Sequence, residues 1–189
     1  MPRLTLALRP SILLALCAAG TLASHPAAAQ DLRPAVAFVQ AGSGEDEAGV
    51  VSAGVRWPWA WRTTAWGGEW TGATELFGSW WHTRDIAGGH QGIVQVGLVP
   101  VLRYRLSQGR SPWFAEIGIG LSITDKRYQS PNKTFSTRWN FSDNLAVGRS
   151  FGARNEHELS LRWQHTSNGG AKKPNPGLDL VMLRYARAF

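Results

Sequence analysis

Eight stretches of this chain alternate apolar and polar side chains with a period of two, and beyond residue 29 no run of about 18 apolar residues occurs. Side chains two apart share a face only in a β-strand, so the period predicts strands. The stretches are 34–41, 50–57, 69–82, 93–106, 113–123, 137–151, 157–167 and 178–189. Turn-rich segments at 42–48, 62–68, 84–90, 107–112, 125–136, 152–156 and 168–177 separate them. In the clearest, Trp113, Ala115, Ile117, Ile119, Leu121 and Ile123 share one face, opposed by Glu116, two glycines and Ser122. Hairpins with no helix between them predict an all-β, eight-stranded antiparallel barrel.

The composition of the two faces decides which one turns inward. The polar face carries Arg56, Glu75, Glu116, Arg138, Arg162 and Arg184, and the apolar face carries tryptophans at its ends. A water-soluble barrel would bury the apolar face. An outer-membrane barrel inverts that arrangement, and its closure satisfies every backbone amide within the hydrocarbon layer. A transmembrane barrel is therefore expected, its interior charges paired and leaving no pore. The final strand ends in Phe189 and resembles the terminal signature of bacterial outer-membrane proteins. A secreted β-sandwich is the alternative, but it does not need so many tryptophans at strand ends. Asp143 interrupts the apolar row of its strand, and the pattern offers no account of it.

Export is expected from residues 1–29, which combine Arg3 and Arg9 with a short apolar core, Ile12 to Ala19, and the small residues Ala27, Ala28 and Ala29. Residues 30–189 then form one domain, the barrel. The single cysteine, Cys17, lies in the leader, so disulfides and thiol chemistry are not expected in the mature chain. The formal net charge is +7, from 20 basic and 13 acidic residues; without Arg3 and Arg9 it is 18 against 13, or +5. Nucleic acid and anionic lipid both suit a basic chain, but ten tryptophans and 21 glycines favour the membrane, and nucleic acid is not expected as a partner. His82, His90 and His157 lack metal-ligand spacing, and no Gly-rich phosphate loop, CxxC or H-E-x-x-H occurs, so neither metal nor cofactor is expected.

The candidate site lies in the last twenty-five residues. His165 and Ser167, two apart, are neighbours on one face, a base beside a nucleophile, and Asp179 opens the next strand where it can orient the imidazole. All three share the parity of the outward rows Leu159, Leu161, Trp163 and Val181, Leu183, Tyr185. With both termini periplasmic, they fall on the outside of the barrel at the extracellular rim, level with lipopolysaccharide. Polar groups that face lipid point to function. The chemistry they suit is acyl transfer to water, with oxyanion donors from the side chains of Asn168 or Asn175 and the backbone of Gly169 and Gly170. Lys172 and Lys173, in the same loop, are candidates for substrate phosphates.

The segment His165-Thr166-Ser167-Asn168-Gly169-Gly170-Ala171-Lys172-Lys173-Pro174-Asn175-Pro176-Gly177-Leu178-Asp179 resembles the H-x-S-N…K-x-P-N-x-G-x-E signature of the PagL family of lipid A 3-O-deacylases. Weaker similarity covers Val55 to Trp59, Pro112 to Gly120 and Trp139 to Phe141. The resemblance implies an outer-membrane esterase acting on lipid A without metal or organic cofactor. His165 and Ser167 match the family's base and nucleophile, and Asn168 and Asn175 match positions that arrange the site and its oxyanion hole. Asp179 stands where the family carries Glu, one methylene shorter. A non-catalytic small barrel, a phospholipase or an acyltransferase of the same barrel type are the competing readings, and a homodimer is a candidate assembly.

Overall fold

The structure is a computed structural model that describes residues 33–189. The expected signal peptide, 1–29, and the domain boundary after it lie outside the described residues. Eight strands follow: β1 (Val36–Gly44), β2 (Gly49–Ala65), β3 (Gly68–Arg84), β4 (His90–Leu106), β5 (Trp113–Thr124), β6 (Trp139–Phe151), β7 (His157–Ser167) and β8 (Leu178–Ala188). Each pairs antiparallel with its sequence neighbours, and β1 with β8 closes the barrel. The architecture read from the alternation is the one observed. The outward rows hold Val51, Val96, Leu98, Ile119, Val147, Leu161 and Leu183, all exposed, while the even positions of β5 to β7 turn inward and, Glu158 aside, are buried.

Most strand ends lie within three residues of the sequence pattern, and one differs by more. The sequence pattern ends β2 at Trp57, whereas the strand continues to Ala65. The register with β3 shifts between Pro58 and Arg62, a bulge that breaks the alternation on which the shorter boundary rests. Within it Trp59 packs on Gly72 and donates through Nε1 to Thr74 Oγ1 at 3.0 Å. The hairpin then closes through Trp66 and Gly67, both at positive φ (54° and 76°), as a two-residue turn that follows the strand twist requires. Trp81 likewise departs from the outward aromatic row; it is 1% exposed inside the barrel.

The interior is layered. Midway, Glu75 accepts from Arg56 (2.6 Å) and Arg184 (2.7 Å) and pairs with Arg162 (3.3 Å). Glu116 pairs with Arg56 (3.0 Å), Arg103 (2.6 Å) and Arg162 (3.0 Å), and Glu158 extends the cluster through Arg103. The expected interior pairing is thus present as a network across several strands, except for Arg138, which precedes β6, is exposed and donates to Thr124 O (2.8 Å). Toward the loop end lie Gln40, Ser52, Ser79, Gln95, Ser122 and Asn140, all buried. Above them a hydrophobic cluster of Ala48, Val50, Trp81, Ile93, Tyr128, Phe135, Leu178, Leu180 and Met182 closes the mouth. Tyr128 and Phe135 belong to the β5–β6 loop, which folds over that mouth. This loop and the β7–β8 loop border the candidate site.

Candidate active site

His165 is the third residue from the end of β7, with Asp143 of β6 opposite it on one side and Asp179 of β8 opposite on the other. His165 Nδ1 and Asp179 Oδ1 lie 2.7 Å apart, so the carboxylate can accept a hydrogen bond from Nδ1–H, which leaves Nε2 as the nitrogen free to accept a proton. Trp163, two residues deeper in the same row, stacks with the imidazole at a centroid distance of 6.0 Å and 24° between planes. Ser167 continues that row beside Phe141 and is 9% exposed, against 38% for Trp163. His165 and Asp179 thus meet at the loop end, and Ser167 follows two residues on at the end of β7.

Gly177 completes the imidazole's surroundings. Its φ is +70°, and a Cβ added there would lie 2.7 Å from His165 Cε1 and 3.3 Å from Nε2. The backbone of the β7–β8 loop therefore forms one wall of the imidazole site. Gly177→Ala combines an unfavourable backbone conformation with a clash against the His165 ring. We expect activity to fall on the order of 100-fold, the scale of an ångström-sized misplacement, in steady-state assays, while heat-modifiable mobility on gels shows an intact barrel.

The loop candidates divide by how they are engaged. Asn168 is 1% exposed, and its Nδ2 lies within hydrogen-bond distance of Ser136 Oγ (3.0 Å), Thr137 Oγ1 (3.2 Å) and Lys172 O (2.8 Å). Its Oδ1 accepts from Gly170 N–H (3.0 Å). The Asn168 amide therefore ties the β5–β6 loop to the β7–β8 loop, and the Gly170 donor is already engaged. Asn168 N–H donates to Asn175 Oδ1 (2.9 Å), which directs the Asn175 side chain back over the end of β7. Gly169 N–H approaches Ser167 Oγ at 3.4 Å, a long contact that leaves it free to shift to a stronger acceptor. Lys172 and Lys173 are exposed on the same loop.

Asp143 is the residue the sequence pattern flagged without explaining. It sits on the outer face directly across from His165, and its Oδ1 is buried with no hydrogen-bond partner among the described residues. The signal was its break in an otherwise apolar row. Among the described residues no group of three or more His, Cys, Asp or Glu is arranged to hold a metal ion.

The sequence profile of the family described as "Lipid A 3-O-deacylase (PagL)" matches residues 49–188. The chain is 30% identical over 110 residues to "Lipid A deacylase PagL" of Bordetella bronchiseptica, covering 58% of this chain and 57% of that protein. It is 28% identical over 136 residues to "Lipid A deacylase PagL" of Pseudomonas aeruginosa, covering 70% of this chain and 73% of that protein. A solved structure described as "Crystal structure of the outer membrane enzyme PagL" superposes with a TM-score of 0.70 at 24% identity, covering 82% of this chain and all of that one (100%).

Proposed function

The chain belongs to the PagL family of lipid A 3-O-deacylases, and from that membership we propose that it is an outer-membrane hydrolase that removes the 3-O-linked acyl chain of lipid A. The observation that carries the mechanism is the 2.7 Å His165–Asp179 contact on the outer wall, in the same row as Ser167. In this reading Asp179 fixes the Nδ1–H tautomer, and Nε2 takes the Ser167 proton as Oγ attacks the ester carbonyl. The carbonyl electrons move onto oxygen, and the tetrahedral oxyanion is held by Gly169 N–H together with the Asn175 side-chain amide. Collapse expels the sugar alkoxide, which takes the proton from His165 and leaves an acyl-serine. Water, deprotonated by the same imidazole, then releases the fatty acid and restores the serine.

The outward direction of the trio supports a substrate drawn sideways from the outer leaflet, acyl chain against the apolar wall below Trp163. Lys172 and Lys173 suit the lipid phosphates. Asp179, one methylene shorter than the family's Glu, reaches Nδ1 all the same. Residues 1–29 serve as the export signal in this reading, and residues 30–189 form the single barrel domain.

Mass spectrometry of lipid A from cells expressing the chain tests the proposal. Loss of one ester-linked 3-hydroxyacyl group is the expected result. A gained acyl group would make the chain an acyltransferase, and unchanged lipid A with loss of phospholipid would make it a phospholipase. Unchanged lipids beside a folded barrel would leave a non-catalytic one.

A further inference from the structure

Two residues remote in sequence from the trio hold the segment that shapes it. Lys133 lies in the β5–β6 loop, and its Nζ donates to Glu45 Oε2 (2.5 Å) and to Gly177 O (3.0 Å). Glu45, in the 3-10 turn Glu45–Glu47 between β1 and β2, accepts through the same Oε2 from Asp179 N–H (3.2 Å). The two side chains thus grip Gly177 by its carbonyl and Asp179 by its amide. Those are the residues that bound the imidazole: Gly177 walls its Cε1 edge, and Asp179 binds its Nδ1.

The grip is itself anchored. Ser130 and Lys133 close a turn, with Ser130 N–H donating to Lys133 O (2.8 Å) and Lys133 N–H to Ser130 Oγ (3.0 Å). Asn132 Nδ2 and Tyr128 OH donate to Asp46 (2.6 and 2.9 Å), and Tyr128 is buried in the cluster that closes the barrel mouth. Only 17% of the Lys133 side chain is exposed. An isolated surface ion pair contributes little, but here each partner also hydrogen-bonds the backbone beside the reacting ring. The Glu45 carboxyl is held below the ordinary carboxylate range, chiefly by the hydrogen bond from Lys133. The acceptor therefore stays ionised at neutral pH.

We infer that Lys133 and Glu45 are positioning residues for the reaction, a clamp from two other loops that sets the Gly177–Asp179 segment and through it the orientation of His165. The inference rests on the deacylase reading proposed above. Neither residue touches the reacting atoms, so the clamp governs how often the imidazole is aligned and not how tightly lipid A binds.

Steady-state deacylation of purified lipid A in mixed micelles tests this with the variants Lys133→Met, Lys133→Arg and Glu45→Gln, and with Lys126→Met as a control on the same loop. Lys133→Met should lower kcat by roughly 10- to 100-fold, the scale of small misplacements near a reacting group, with KM within about twofold. Lys133→Arg, which keeps two donors and the charge, should recover most of kcat, and Lys126→Met should match the wild type. Unchanged kcat in Lys133→Met overturns the inference. So does a raised KM at constant kcat, which would make Lys133 a substrate contact. Should Lys133→Met fail to show heat-modifiable mobility, Glu45→Gln decides by the same criterion. Failure of the deacylase reading looks different: the wild type itself would release no acyl chain.

Discussion

Ser167→Ala is expected to abolish deacylation while leaving the barrel intact. A serine, its base and an orienting carboxylate act as one unit, and losing the nucleophile of such a unit costs on the order of 10⁶-fold in kcat. In a lipid A mass spectrum that is indistinguishable from no reaction. His165→Ala should do as much, and the double variant no more, because the second removal acts on a path already closed. The structural cost is small, since among the described residues the Ser167 hydroxyl has only the 3.4 Å hydrogen-bond contact from Gly169 N–H. Folding, read from heat-modifiable mobility or protease resistance, should match the wild type. Retention of a tenth or more of the activity by Ser167→Ala would remove this serine from the mechanism.

The second large effect concerns stability. Glu75 is 1% exposed and neutralises three guanidinium groups, those of Arg56, Arg162 and Arg184. Glu75→Ala leaves Arg56 and Arg162 with Glu116, and leaves Arg184 with a contact to Gln40 Oε1 at 2.8 Å and no carboxylate. Stranding a buried charge in this way costs roughly 3–5 kcal/mol. The exposed pair between Arg84 and Glu47 provides the contrast, with side chains 47% and 59% exposed. Breaking it through Glu47→Ala should cost about 0–1 kcal/mol. Urea unfolding of the barrel in phospholipid vesicles, followed by tryptophan fluorescence, measures both. Equal effects would mean that water reaches the interior cluster and screens it. Replacing Glu75 together with its arginines by well-packed apolar residues is a different change and need not destabilise.

How far the sequence could be read depended on whether a feature was local. The period of two made the strands legible because the outward rows are apolar and many inward positions are polar, although inward Val50, Trp81, Ile93, Leu180 and Met182 are apolar. It broke at Pro58 to Trp61, where a bulge shifts the register, so β2 came out short at that end. His165 and Asp179 were legible as neighbours because a hairpin brings the end of β7 beside the start of β8. The use of the Asn168 amide was not legible, since its acceptors Ser136 and Thr137 come from a loop more than thirty residues away. The same holds for Lys133 and Glu45: contacts between loops follow from how the loops fold over the mouth, and no periodicity records that. Asp143 lies between these cases. Its parity and its break in the apolar row were visible, but its position across from His165 required the β6–β7 register.

The proposed trio would act on the outside of a wall whose inside holds paired charges, and this changes what concentration means for such a catalyst. On the deacylase reading, substrate and enzyme share one sheet of fluid two molecules thick. Encounters then depend on the mole fraction of susceptible lipid around the barrel and on lateral diffusion, and adding more lipid of the same composition leaves the rate per enzyme unchanged. Inert amphiphile, by contrast, acts as a diluent and slows turnover without binding anywhere. Each turnover also leaves a lipid with fewer chains beside the wall, so a barrel that cannot exchange neighbours exhausts its own annulus.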